Sequence, residues 1–468
     1  MSEQTIDENK PQSPVERAAM GKGLRKQVPR SSHGDWTPAP DRPDPLSLLQ
    51  AQDEGRIQHL LPIKYGRMLA SPFAFLRGSA TVMASDLADI QVTGLNVVLC
   101  GDAHLSNFGV FATPERNLVF DINDFDETYI GPWEWDLRRL AASAVVAGRE
   151  NGFKEKVCQN LAVTVSRSYR KMMKRFANAS ILDVWYFHVD ADSVLKLFKK
   201  YSKSSSKSAQ KTVKKARSRT SQRTLKKLTT LVNGKRQIAN NPPLLVRLRS
   251  LPNDDHKKQI SEDEIGKLWK EYVESLPMEI PQLLRRFRIT DAALRVGGVG
   301  SVGTRCVIVL LAGDTEQDDM ILQQKEADPS ALEPYLPKRE ITSQAQRVVH
   351  GQRIMQASSD IFLGWTHGLA EERQYYWRQL KDMKGSFDVT TLDESGLGTY
   401  LGVCSVCLAR AHARTGDAAA ISGYLGSGDV FDKAIADFAV AYADQTEKDF
   451  QALVDAVESG RIVAETGV

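Results

Sequence analysis

The spacing of apolar and polar positions changes several times along this chain, and each change marks an element. Residues 97–99 form a short β-branched run that ends in Gly101-Asp102. A polar turn through His104 and Asn107 follows, and a second apolar run returns to Phe120 and releases Asp121, Asp124 and Asp126. Short β-branched runs bounded by Gly, Asn and Asp are strand signals, so two strands are expected to deliver carboxylates at their ends. A hairpin built from them would bring Asp102, Asn107 and Asp124 together.

Helical spacing covers residues 48–61, 137–146 and 154–176, then EDEIGKLWKEYVES and PQLLRRFRITDAAL after Ser261, residues 341–358, and most of the tail from Leu397. From Leu294 the pattern switches to strand, glycine turn, strand, polar turn, strand. Residues 307–311 and 320–323 are aliphatic runs, Lys325 follows the second, and residues 375–380 have the aromatic content of a strand leading to a polar turn at Gly385. The resulting class is α+β. Four regions are expected: a flexible, Pro-rich arm over 1–45, a helical lobe over 46–290, a glycine-rich β lobe over 291–385, and helices over 386–468 that pack back on the first lobe.

A chain of 468 residues with 42% hydrophobic content can bury one large two-lobed core or several ordinary ones. No apolar run approaches the roughly 20 residues of a membrane span, and the first residues are polar and acidic, so a cytoplasmic protein is expected. Of the five cysteines, Cys404 and Cys407 alone have a metal-site spacing, and they sit in an apolar helical pattern that reads as buried thiols.

The net charge of +4 conceals an uneven distribution. Residues 196–236 hold 15 Lys and Arg and no Asp or Glu, which leaves the remainder of the chain at −11. That segment reads either as a solvated linker or as a contact for a polyanion. It lacks the interleaved aromatics of a stacking surface and any helix-turn-helix or finger spacing.

The chemistry gathers in two places. Asp102, Asn107 and Asp124, with Asp121 and Asp126 beside them, make an all-oxygen cluster of the kind that suits Mg²⁺. Arg67 and Arg77 stand shortly before it among aromatic and small residues, where a guanidinium could clamp a phosphate. Asp136, at the start of a helix, reads as a structural capping acid. Gly298-x-Gly300-x-x-Gly303 is a weak motif alone, and context narrows it. A dinucleotide turn needs a helix after it, whereas a strand follows here, so the turn reads as a glycine hairpin over phosphates with Lys325 on the next strand pairing with their oxygens. A Walker-type site is absent.

The blocks GDAHLSNFG, FDINDFDE, GPWEWDLRRLA, RVGGVGSVGTRC and LARAHARTGDA resemble a bacterial family known as domain of unknown function 2252, from about Leu24 onward. More distantly, Gly101-Asp102-x-His104-x-x-Asn107 with Asp124, Gly131 and Asp136 resembles the catalytic blocks of aminoglycoside phosphotransferases and related small-molecule kinases of the protein-kinase-like superfamily. That resemblance implies a two-lobed kinase-like fold binding ATP and Mg²⁺. In it Asp102 is the catalytic base, Asn107 and Asp124 are metal ligands, and Gly298, Gly300, Gly303 and Lys325 hold the nucleotide. His104 would hold the catalytic turn and Arg77 the acceptor.

The order of the blocks is inverted, since the glycine turn follows the catalytic aspartate by about 200 residues, and a circular permutation would reconcile it. The last helices, with His412, would then return beside the catalytic turn. Two departures stand out. Gln344 and Gln346 occupy the helix where an acid should pair with Lys325, and Asp124-Phe125-Asp126 replaces Asp-Phe-Gly, so that Asp126 could hold a second Mg²⁺. The expected function is ATP- and Mg-dependent phosphotransfer to a hydroxyl on a small molecule or protein. Open alternatives are a catalytically inactive nucleotide-binding scaffold or sensor, a nucleotidyl transferase, a metal-dependent hydrolase using Asp102, His104, Asp121 and Asp124, and a polyanion-binding protein.

Overall fold

Helix Glu134–Glu150 is the axis of the core, with every residue from Glu134 to Gly148 buried, charged ones included. In the computed structural model, which describes residues 12–250, 262–368, 373–380 and 382–467, this helix lies against helices Glu155–Ala177 and Val430–Glu458. Helix Glu394–Thr415 packs along Glu155–Ala177, so the tail does return to the first helical region. The apolar stripes read from the sequence are the faces that meet here.

Four short strands precede or flank the central helix: β1 (Asn96–Leu99), β2 (Phe108–Ala112), β3 (Leu118–Ile122) and β4 (Tyr129–Pro132). The expected single hairpin is replaced by a split arrangement. β2 pairs with β3, while β1 pairs with β4. The polar turn at 100–107 is therefore a crossing between two small sheets. β5 (Val189–Asp190) joins β3, and β6 (Thr229–Val232) with β7 (Lys235–Ile238) forms a hairpin at the end of the basic segment.

The second body is an antiparallel sheet of β8 (Leu245–Arg247), β9 (Arg288–Arg295), β10 (Cys306–Ala312), β11 (Met320–Glu326), β12 (Gly364–His367) and β13 (Gln374–Gln379), in the order β12-β13-β11-β10-β9-β8. Helix Gln344–Met355 falls between β11 and β12 and packs beside β12 and β13. The class is α+β, as expected.

Three expectations differ. RITDAAL was expected to be helical but lies in β9, because pairing with β10 from Val307↔Leu294 to Ala312↔Arg288 outweighs a weak local preference. The arm is not loose from residue 12 on. Helix Pro14–Gly23 opens with a Ser13/Glu16 capping box and packs on helix Ala418–Leu425, and Arg25 and Arg30 donate to the carbonyls of Tyr424 and Leu425 at 2.8 Å each. Residues 1–11 of that expectation lie outside the described residues. The basic segment is structured as helices Ala191–Tyr201, Lys203–Ser218 and Ser221–Leu228 and the β6–β7 hairpin. All five cysteines are buried and unpaired, and among the described residues no helix is long and apolar enough to cross a membrane.

Asp121 illustrates how the core is tied. It is buried, accepts from Arg410 Nη2 at 2.6 Å and from the Ala357 amide at 2.8 Å, and so joins β3 to helix Glu394–Thr415. Asp121→Ala leaves Arg410 charged, buried and without that partner, and is expected to cost about 3–5 kcal/mol in chemical denaturation. The volume-filling pair Asp121→Leu with Arg410→Met should recover much of that loss; a single mutant as stable as the wild type would show that the pair carries nothing.

Candidate functional site

The crossing at 100–107 is held from beneath by the central helix. Asp136 lies in the first turn of that helix, not at its cap, and its carboxylate accepts from the amides of Cys100 at 2.7 Å and Gly101 at 2.9 Å and from His412 Nε2 at 3.1 Å. The structural role expected for Asp136 is the one it has, and His412 stands beside the turn. Gly101 has φ +85, and a Cβ there would sit 2.0 Å from the carbonyl oxygen of Glu127, so this position admits only glycine.

The turn presents Asp102. Its Oδ1 accepts from Arg139 Nε at 2.9 Å and forms an ion pair with the same guanidinium, Nη2 lying 2.8 Å away, and Arg139 is a buried residue of the same central helix. Oδ2 faces His104 Nε2 at 3.5 Å. His104 Nδ1 accepts from the Ser106 amide at 3.1 Å, which leaves the ring proton on Nε2, toward Asp102. Burial pushes the imidazole down to about 3, so it is neutral at physiological pH. Asn107 Nδ2 donates to the Asp102 carbonyl at 2.7 Å, leaving Oδ1 of that amide for another partner.

Across from this turn stand the loop after β3 and the second sheet, and a cleft of about 690 Å³ separates them. Arg77, Asp102, His104, Asn107, Asp124 and Asp126 line it together with Gly298, Gly300 and Lys325. Nine of the eleven site residues expected from the sequence thus share one cavity. The exceptions are Asp121, tied to Arg410 in the core, and Gly303, whose φ of +87 closes the glycine turn from behind.

The glycine turn is anchored, not free-standing. Arg56 donates to the carbonyls of Gly300 at 2.8 Å and Val302 at 2.7 Å and pairs with Asp53 at 3.0 Å. Ile57 N donates to the Gly303 carbonyl at 2.7 Å, and Arg67 to that of Gly297. Arg67 therefore holds the turn instead of reaching across the cleft. A Cβ on Gly298 would meet nothing within 4 Å, and one on Gly300 only the Arg77 carbonyl at 3.7 Å. Protein packing does not demand glycine at either, so the bare backbone there is available for close approach by a ligand.

Lys325 forms an ion pair with Asp126, whose other oxygen accepts from Tyr376 Oη at 2.6 Å. Burial works against charge on both groups, but the pairing prevails and drives the Lys325 amine well above its usual range and the Asp126 carboxyl below its own. Asp126 thus stands where a second metal ligand was expected and serves the lysine. On helix Gln344–Met355, Gln344 donates to Glu333 at 3.1 Å.

Asp124 Oδ1 accepts from the Phe125 amide at 3.0 Å. Among the described residues no group of three or more His, Cys, Asp or Glu could hold a metal ion. Asn107 and Asp124 remain as two hard oxygen donors facing one cleft, a set suited to Mg²⁺ completed by phosphate and water.

Among the lining residues unread in the sequence, three stand out. Arg295 flanks the glycine turn and was in plain view. Asn123, which directly precedes Asp124, is 8% exposed with neither Oδ1 nor Nδ2 hydrogen-bonded. Arg378 has no sequence signal, because it reaches the cleft only through the Gln323↔Arg378 register of β11 and β13. Arg77 Nε is likewise buried without a partner; burial pulls this guanidinium down while Asp102 and Asp124 oppose the shift.

Fold and site together define a mixed α+β protein with a polar cleft between an antiparallel sheet and a helix-backed acidic turn. The chain belongs to the family described as uncharacterized protein conserved in bacteria, DUF2252, whose model matches residues 56–456. No curated protein matches it, and no solved structure matches it.

Glu127, also in the cleft lining, is raised to about 7 by burial, against a hydrogen bond from the Ala331 amide at 2.6 Å. Its folded value exceeds the unfolded one, so the folded state binds the extra proton and stability falls as pH rises from about 4.5 through 7. Glu127→Gln is expected to flatten that part of the stability profile, read by denaturant titration across this range; an unchanged slope would remove Glu127 as its source.

Proposed function

We propose that this protein is an ATP- and Mg-dependent phosphotransferase acting on a hydroxyl acceptor, with a circularly permuted kinase-like architecture. The six-stranded sheet with its glycine turn, Lys325 and helix Gln344–Met355 is the nucleotide lobe, and the acidic turn on the central helix is the catalytic lobe. The observation that carries this reading is that Asp102, Asn107 and Asp124 line the same cleft as Gly298, Gly300 and Lys325, some 200 residues further along the chain.

In this reading Lys325, Arg77 and the backbone of the glycine turn contact phosphate oxygens, with Arg77 opposite the acids on the side of the reacting group. Asn107 and Asp124 would hold magnesium, which would supply positive charge to offset that of the phosphates. Asp102 accepts the acceptor's hydroxyl proton at Oδ2, while Arg139 on Oδ1 and neutral His104 keep the carboxylate oriented. Asp126 positions Lys325. A second reading, a nucleotide-binding scaffold without turnover, is favoured by one feature: the acid that pairs with Lys325 comes from the cleft itself and adds a carboxylate beside the phosphates.

Calorimetry with and without Mg²⁺ tests the site. Wild-type protein is expected to bind ATP in a magnesium-dependent way, and Asp124→Ala and Lys325→Ala to lose that binding; a folded wild type with no binding at millimolar ATP would end the nucleotide reading. Asp102→Asn should keep ATP binding and lower turnover by about 10²–10⁴-fold, the usual size of a general-base contribution. Product mass separates phosphoryl from nucleotidyl transfer, and binding without product in the wild type would favour the scaffold.

A further inference from the structure

The basic segment is not absorbed by the cleft chemistry, and its structure excludes the linker reading. Helix Lys203–Ser218 buries Ser205, Ser206, Ala209, Val213 and Ala216, and its start is tied down through Ser202 and Ser205, which donate to Asp393 at 2.8 and 3.0 Å. The opposite face exposes Lys203, Lys207, Lys211, Lys214 and Lys215. These lysines recur every three to four residues, one stripe about 18 Å long at 1.5 Å per residue.

The stripe is costly to the isolated helix, because Lys203/Lys207, Lys207/Lys211 and Lys211/Lys215 are like charges four residues apart. Elsewhere in the segment, Arg217 pairs with Asp192 and Arg236 with Asp319. Among the described residues, none of the five lysines has such a partner. A rigid helix that keeps a repulsive array uncompensated is suited to a ligand that brings the opposite charge.

The carboxyl-terminal end of this helix, through its buried face, and the residues just after it meet the 382–385 loop. A Cβ on Gly385 would lie 3.0 Å from Ala216 Cβ, Met383 N donates to the Arg219 carbonyl at 2.7 Å, and Ser221 N donates to Asp382 Oδ1 at 3.1 Å. Ser221 and Asp382 both line the cleft.

We propose that the lysine face of Lys203–Ser218 is a docking surface for the phosphodiester backbone of nucleic acid. An acidic protein partner fits less well, because no large apolar side chain is exposed on this helix to anchor an interface. Without aromatics to stack on bases, recognition is by backbone charge and indifferent to sequence. The surface acts independently of the nucleotide reading of the cleft.

Fluorescence anisotropy with a labelled DNA duplex of about 20 base pairs tests it on the full chain. Five neutralised phosphates give a log–log salt slope near −4.5, or about a 500-fold loss of affinity between roughly 50 and 200 mM salt. Replacing all five lysines by Gln should bring the slope close to zero while the melting temperature stays level or rises, since only exposed, mutually repelling charges are removed. Asp124→Ala should bind the duplex as the wild type does. The proposal fails if the wild type does not bind at low salt, if the five-Gln variant keeps the slope, if Asp124→Ala loses the duplex, or if polyglutamate displaces it at equal charge concentration.

Discussion

A charge taken out of water must be met by donors or by an opposite charge, and this constraint builds the protein's central region. Helix Glu134–Glu150 carries Asp136, Arg138 and Arg139 into the core, and each finds its partner in a different part of the chain. Asp136 takes the amides of the acidic turn and the ring of His412. Arg138 donates to the His33 carbonyl at 3.1 Å, and Arg139 holds Asp102. One buried helix thereby fixes the amino-terminal arm, the acidic turn and a carboxyl-terminal helix relative to one another. Apolar packing supplies the bulk of stability, but these charges decide where the turn sits.

The same rule joins the six-stranded sheet to the acidic loop. Lys325 comes from the sheet and Asp126 from the loop that also carries Asp124, so one ion pair fixes that loop against the sheet. The turn on the sheet side is fixed separately, through Arg56 and Ile57 of an amino-terminal loop and Arg67 of helix Leu61–Met68. Both walls are therefore positioned by elements distant in sequence, and the cleft exists only when all of them are assembled.

Charge left unmatched is equally informative. Among the described residues the cleft holds Arg77 and Asn123 with buried atoms that lack a hydrogen-bond partner, as Glu134, Arg138 and Arg410 do in the core, and the lysine helix holds an uncompensated array on its outer face.

The sequence by itself determined the α+β class, the helices of the tail, the strands around the glycine turn with Lys325, and nine residues that share the cleft. These were legible because local periodicity and turn chemistry are properties of neighbouring residues. It misassigned what depends on distant partners. Asp121 and Asp126 looked like metal ligands because an acid in a turn looks the same whether or not an Arg410 or a Lys325 stands opposite. Residues 288–294 looked helical because their strand exists through pairing with β10, and the arm from residue 12 looked loose because its partner helix lies 400 residues away. Tertiary structure alone decided these, since burial and pairing are set by what the rest of the chain brings to a side chain, which no local pattern records.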